Sequence, residues 1–374
     1  MRFVLFSTDP AWETMQPAPL THLCQCLPKA HLSQYLCRRA QLCLDYQKEN
    51  TYKMVLSILG TVVYKCPESL DQLHEQFVHL GDGVSMLGRG VAHPVDSSRS
   101  LYVAANEFAV VYDMDSSVDI VGTDSIGSSV LIILRSSDSC STLVCHASHI
   151  TTSDMDLIIS IMNTTTLLQM TIIGGYQSQS MLMPILATMI FNSHLIDLVA
   201  ISFGPITSGV GVNVKTGEII SARFSDKGPD MDLRTARTLA GGQNVGLLNI
   251  YNSIMEEVII GPFTYSPMRA VDIWLEMTDQ FLLQSLCPSP EAVEDSVQHV
   301  SVLRAALILI KNHSYPSVTI FRHNRARCYR RHHCSGGWLA SSTDYFYDNF
   351  LPCSAQYGQE YQHWGYGQMQ QVYY

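Results

Sequence analysis

Two side chains of this sequence form a reactive pair if one hairpin closes: Ser129 and His146. Two apolar runs flank Ser136-Ser137-Asp138-Ser139, a tetrad of turn-forming residues. With Ser137-Asp138 at the tip, counting outward along both strands sets Ser129 directly opposite His146. Residues so paired have Cβ atoms about 4.5–5.5 Å apart, close enough for a hydroxyl to meet an imidazole. That is the arrangement of a nucleophile and its general base. A serine and a histidine facing each other across a ladder are also ordinary neighbours, and a slip of register at a looser turn undoes the pairing.

Other residues invite chemistry less specifically. Asp124 either orients His146 or caps a turn. Cys145 adjoins His146 and so points to the opposite face of a strand. Cys140 shares the parity of His146 but lies about 20 Å away along an extended chain. Both thiols are expected as buried packing groups. Arg234 and Arg237 fall on one face of a helix predicted over 232–240; they either neutralise a substrate carboxylate or sit in solvent, and the second is the simpler expectation. Gly241-Gly242 fits a helix C-terminal turn rather than a phosphate cradle. Cys328 and Cys334 flank Arg330-Arg331-His332-His333, but the spacing matches no usual zinc knuckle, so no metal site is predicted. The positive run from Arg322 to Arg331 reads as a solvated patch before it reads as a dock for an acidic partner.

The elements that must position these residues come from periodicity. Pro67-Glu68-Ser69-Leu70 opens a helix running to about His79, with Leu70, Leu73, Phe77 and Leu80 at near-helical spacing. Strands are predicted at Leu101–Ala105, Phe108–Tyr112, Val118–Val121, Val130–Leu134 and Thr142–Cys145, then at 168–173, 196–203, 208–214, 218–224, 246–251 and 256–260. Further helices fit 153–162, 178–191, 232–240 and 295–311. Runs of strands punctuated by helices predict an α+β layered domain. Three textures divide the chain: a poorly patterned 1–53, this core at 54–330, and a Tyr/Gln/Gly-rich low-complexity tail at 331–374, expected to be disordered or self-associating.

The formal net charge of −10 argues against general affinity for nucleic-acid phosphates. The longest apolar stretch, Met181–Phe203, is interrupted by Pro184, Asn192, His194 and Asp197, which fits a core helix and strand rather than a membrane span. The first residues reach Ser7, Thr8 and Asp9 too soon for a signal-peptide core, so a reducing compartment and free thiols are expected for the 11 cysteines.

Several longer motifs are more specific. Gly211-Val212-Asn213-Val214-Lys215-Thr216-Gly217-Glu218-Ile219, Ser225-Asp226-Lys227-Gly228-Pro229 and Arg234-Thr235-Ala236-Arg237-Thr238-Leu239-Ala240-Gly241-Gly242 closely resemble the animal N-terminal asparagine amidohydrolases. So do Ile260-Gly261-Pro262-Phe263, Val271-Asp272-Ile273-Trp274 and Gly174-Gly175. The similarity covers roughly residues 54–330. Met54-Val55-Leu56 resembles the usual start of these proteins, so 1–53 is expected to be an extension or a gene-model artefact. The resemblance implies conversion of an N-terminal asparagine to aspartate with release of ammonia, feeding arginylation and ubiquitin-dependent degradation. It also implies an α-β-β-α sandwich similar to the cysteine deamidases of bacterial chemoreceptors, no cofactor, no nucleic-acid or membrane partner, and a cytoplasmic and nuclear location.

The family's nucleophile motif reads Gly-Thr/Ser-Asp-acidic-Ala-Thr-Thr-Cys, followed by a histidine on the next strand. Here Gly122, Thr123 and Asp124 match, whereas Ser125, Ile126, Gly127 and Ser128 depart from it. Ser129 stands at the cysteine position, His146 at the histidine, and Ser148 where an aspartate often follows. A serine needs stronger general-base help than a cysteine. Two expectations follow from the resemblance: a hydrolase in which Ser129 attacks, His146 moves the proton and Asp124 polarises the pair, or a non-catalytic module that holds asparagine-bearing termini or acts as a scaffold.

Overall fold

We describe residues 56–341 of a computed structural model, apart from 64–66, 68, 85–86, 88–91, 125, 137–139, 163–166, 176–184, 187, 189–195, 203–205, 207, 242–244, 288–289, 291–292, 294 and 333–334. All of these belong to one unit of the chain, Met54–Tyr374. The extension 1–53, nearly all of the tail, the hairpin tip, Ser125, Gly242, Cys334 and much of the Met181–Phe203 stretch lie outside the described residues.

Alternation of apolar side chains builds two sheets that pack face to face. The larger has the order β13 (Leu248–Asn249), β5 (Glu107–Tyr112), β8 (Ser141–Ala147), β7 (Val130–Ser136), β9 (Leu168–Gly174), β10 (Ile196–Ser202), β1 (Leu56–Ile58), β2 (Thr61–Val63). The smaller runs β3 (His93–Pro94), β12 (Ile219–Arg223), β11 (Gly209–Asn213), β6 (Ile120–Thr123), β4 (Ser100–Tyr102). Ala109, Val111, Leu131, Ile133, Val144 and Ile173 of the larger sheet meet Leu101, Val121, Val210 and Val212 of the smaller in one buried layer. Each such Val, Leu or Ile side chain contributes about 1.5–3 kcal/mol through burial.

The other face of the larger sheet carries the opposite parity: Val110, Ile132, Leu134, Leu143 and Cys145. Helix α1 (Leu70–Gln76) contributes Leu73 to this second core, and α2 (Thr152–Met162) contributes Met155, Ile158, Ile159 and Met162. Both faces of β7 and β8 are therefore buried, which explains why these strands read as nearly unbroken apolar runs. Helix α3 (Met231–Gly241) packs against the longer α6 (Ser296–Asn312) through Ala236, Ala306 and Ile310, joined by Tyr265. A third sheet, β14 (Tyr251–Asn252), β15 (Glu257–Ile260), β16 (Arg327–Arg331), β17 (Trp338–Ala340), adds Tyr251, Val258, Ile260 and Tyr329 to the inter-sheet core. The result is a mixed α+β domain. Among the described residues no helix is long and apolar enough to cross a membrane.

The β7–β8 hairpin corrects the predicted register. Ser136 pairs with Ser141 and Leu131, not Ser129, stands directly opposite His146. The loop between them spans 137–140 rather than two residues, with Cys140 at φ 46 in the left-handed region. Cys140 is exposed, against the expectation that it packs, whereas Cys145 is buried. The register differs by two residues, and Ser129 lies in the bend just before β7 rather than in the ladder.

Candidate active site

The site forms where the two sheets meet at the end of β6. Val121 points into the inter-sheet core and Gly122 the other way, packed so tightly that an added Cβ would lie 2.1 Å from Val210 O and 2.8 Å from the Phe224 ring. No other residue fits there. Thr123 then turns inward again and Asp124 outward, so one short strand end delivers two polar groups to different surroundings.

Thr123 Oγ1 lies 2.8 Å from His146 Nδ1, a buried bond that ties the smaller sheet to the larger. The same hydroxyl donates to Asp124 O at 3.3 Å, and the ring also bonds the Val103 backbone. His146 Nε2 is buried and, by distance and angle, has no hydrogen-bond partner among the described residues. Burial holds the imidazole down at a pKa of about 4, against the opposing pull of the Asp124 and Glu107 charges. At neutral pH the ring is uncharged and its free nitrogen can accept a proton.

Ser129 sits at the mouth of β7 and is only 6% exposed. Its N–H donates to Ile126 O (2.7 Å) and its carbonyl accepts from Gly175 N (2.6 Å). Gly174 has φ 90, and a Cβ there would lie 2.4 Å from Ile126 Cγ2 and 2.6 Å from Ser129 O. The Gly174-Gly175 pair thus exists to let the β9 end approach the Ser129 backbone. These contacts fix the serine's main chain two residues before Leu131, the direct partner of His146.

Asp124 does not contact His146 in the hydrogen-bond network. Its carboxylate accepts from Tyr102 OH at 2.5 Å and pairs with Lys227 Nζ at 2.7 Å. Of the three site residues expected from sequence, Ser129 stands in the bend just before β7, His146 stands on β8, and Asp124 influences the imidazole only through its charge. Thr123 does the orienting. Its sequence signal was present, since it matched the motif and has the inward parity, but nothing in the spacing gave it that role.

Arg234 and Arg237 overturn the solvated expectation. Arg234 Nε binds Glu107 Oε1 at 2.9 Å and Nη2 binds Glu107 Oε2 at 2.5 Å, with both side chains about 1% exposed. Glu107 stands directly opposite His146 across β5 and β8. Arg234 also donates to Tyr102 O and Lys227 O, and Arg237 to Asn106 O and Gly246 O. These arginines lock α3 to the strand ends around the site. The basic run 322–331 stays mostly exposed, in keeping with a solvated patch: Arg322 and Arg325 are exposed, Arg327 and Arg330 are about half-exposed while pairing with Asp230 and Glu257, and Arg331 is covered and pairs with Asp226. Cys328 is buried on β16, where burial pushes its thiol up to about 11.

A model of the protein N-terminal asparagine amidohydrolase family matches residues 91–340, the span that holds every residue of this site. The chain belongs to that family. Human protein N-terminal asparagine amidohydrolase is 28% identical over 291 residues, covering 71% of this chain and 92% of the human protein. The pig protein of the same name is 28% identical over 303 residues, covering 75% of this chain and 96% of its own. The mouse protein matches as the human one does. The matched span takes in the smaller sheet, β5, β7, β8, β9, β10 and β13 of the larger one, and α3 with its Arg234.

Proposed function

We propose that this chain hydrolyses the side-chain amide of an N-terminal asparagine, giving aspartate and ammonia, with Ser129 as nucleophile and His146 as general base. The observation that supports it is the buried Nε2 of His146, without a hydrogen-bond partner among the described residues, while Thr123 Oγ1 lies 2.8 Å from Nδ1. Ser129 Oγ attacks the amide carbon as Nε2 takes its proton. That proton passes to the amide nitrogen, ammonia leaves and a serine ester remains. Water, deprotonated by the same nitrogen, then cleaves the ester to aspartate and restores the hydroxyl. No cofactor enters these steps.

The layered core supports an arrangement of the cysteine-deamidase type, with two sheets between helices. With the activity we propose the family's setting: a cytoplasmic and nuclear step that feeds ubiquitin-dependent degradation, with asparagine-bearing protein termini as partners.

A second reading is favoured by one specific feature. An imidazole held near pKa 4 is a weak base, and a serine hydroxyl is much harder to deprotonate than the cysteine it replaces, whose ordinary pKa is about 8.5. On that ground the chain would be a binding module that holds asparagine termini without turning them over.

The deciding experiment incubates the purified chain with peptides beginning in asparagine and reads ammonia and the asparagine-to-aspartate mass change. Turnover that disappears in Ser129→Ala establishes the serine amidohydrolase. Silence from the parent chain with activity gained in Ser129→Cys establishes the binding module. Turnover that survives Ser129→Ala would sink both.

A further inference from the structure

One buried polar atom beside the site has no part in the chemistry above. Ser208 stands in the bend just before β11, only 6% exposed, and its Oγ is buried with no hydrogen-bond partner among the described residues. A hydroxyl withdrawn from water and left unpaired costs stability, so it calls for a partner that arrives from outside. Its place in the fold says which partner. Gly209, the next residue, is packed so closely that an added Cβ would lie 2.9 Å from Thr123 O and 3.2 Å from Asp124 Cβ. Val210 then pairs with Thr123, whose hydroxyl lies 2.8 Å from His146 Nδ1. Ile206 and Val210, two residues to either side of Ser208, belong to the same buried cluster as Ile126, and the Ile126 carbonyl accepts the Ser129 N–H at 2.7 Å. Ser208 is thus held at the end of β6 where Thr123 meets His146. Ser100 Oγ is unpartnered as well, but Ser100 pairs with Ile120, at the opposite end of β6. The apolar neighbours also set the charge of the ligand: among isoleucine and valine side chains an ion is disfavoured, whereas a neutral hydrogen-bonding group is accepted.

We propose that the Ser208 hydroxyl donates a hydrogen bond to the side-chain carboxamide oxygen of the substrate's first residue, and so tells asparagine from apolar residues of the same shape. The inference rests on the amidohydrolase reading and adds to it a residue that recognises the reacting group. A primary carboxamide is neutral and its oxygen accepts, which matches a lone hydroxyl in an apolar wall. Leucine has the same branched outline without a polar atom and would leave that hydroxyl unpaired, so the site discriminates by what goes unsatisfied. Negative charge grows on the carboxamide oxygen as Ser129 attacks, so the same bond strengthens during the reaction.

The test is peptide binding by fluorescence anisotropy, with a fluorophore at the far end of short peptides beginning in asparagine or leucine. The full chain carries Ser129→Ala, so that no substrate is consumed, and is expected to prefer asparagine. Adding Ser208→Ala should weaken the asparagine peptide about tenfold, the scale of one hydrogen bond, and leave the leucine peptide unchanged. The urea midpoint should stay level or rise, because the hydroxyl removed has no partner in the free protein. An asparagine preference that survives Ser208→Ala overturns the inference, as does its absence before Ser208 is changed. Equal weakening of both peptides, or a lower urea midpoint, overturns it as well, since each marks a hydroxyl already used in packing. Ammonia release by chains that keep Ser129 separates the two readings. An asparagine preference lost in Ser208→Ala, with no ammonia from the parent chain, keeps the role of Ser208 and removes the amidohydrolase reading. Ammonia released from asparagine peptides at the same kcat/KM with and without Ser208→Ala does the reverse.

Discussion

Replacing Thr123 by valine removes one hydroxyl and almost no volume, which makes it the sharpest probe of how His146 is held. The hydroxyl is fully buried and 2.8 Å from Nδ1, from which it accepts if Nε2 is the base. Without it a buried N–H is left unpaired, which costs about 1–3 kcal/mol of folding stability. The valine packs as threonine did, so no cavity penalty is added. The tautomer changes as well. With no acceptor at Nδ1, the ring loses its reason to keep Nε2 unprotonated, and the orientation of that nitrogen loosens. If the chain turns over its substrate, a misplaced base lowers kcat by up to about a hundredfold, while KM changes little. Two measurements read this without requiring activity: urea unfolding for stability, and long-range nitrogen–proton NMR of 15N-histidine-labelled protein for the tautomer. Thr123→Ser, which restores the hydroxyl, should restore both. If Thr123→Val keeps its urea midpoint and His146 remains protonated at Nδ1, then Thr123 does not position the ring and the proposed base has lost its support.

Two further outcomes are expected. His146 is held at about 4 against an ordinary 6.5, so between those values the unfolded chain binds a proton that the folded chain refuses. Stability should therefore fall as pH drops from about 6.5 to about 4, by about 3 kcal/mol in all, and be fully retained above that window. Urea midpoints at pH 7 and pH 4.5, compared between the parent and His146→Gln, isolate this part, and an equal acid loss in both would contradict it. Arg234→Met leaves Glu107 charged and unpaired in the core and should cost about 3–5 kcal/mol, with much of the loss recovered by adding Glu107→Gln. Unfolding curves of the three variants check this, and an undiminished Arg234→Met would show that the pair is structurally idle.

Much of the frame was legible along the chain. Strands β5, β7, β8, β9, β10, β11 and β12 and helices α2, α3 and α6 fall within a residue or two of their predicted places, because apolar periodicity reports a face that must be buried. The short strands β1, β2, β16 and β17 and helices α4 (Val271–Glu276) and α5 (Asp279–Leu286) were not predicted. Their pattern is weak: α4 buries no side chain fully and α5 buries only Leu282. The β7–β8 register was also missed, since turn-forming residues mark where a hairpin bends but not how many residues its loop holds.

At the site the division has a clear physical reason. The sequence by itself determined which residue types stand at the family's reactive positions: Ser129 for the cysteine, His146 after it, and Gly122-Thr123-Asp124 before. Tertiary structure alone decided the partners. Thr123 meets His146 because two sheets stack, Glu107 lies opposite His146 because β5 pairs with β8, and Arg234 turns inward because α3 covers the strand ends. Asp124, in the bend just after β6, meets Tyr102 and Lys227 rather than the imidazole. Periodicity records that a side chain is buried, whereas the identity of its neighbour is set by contacts between segments far apart in the chain, for which a single sequence carries no signal.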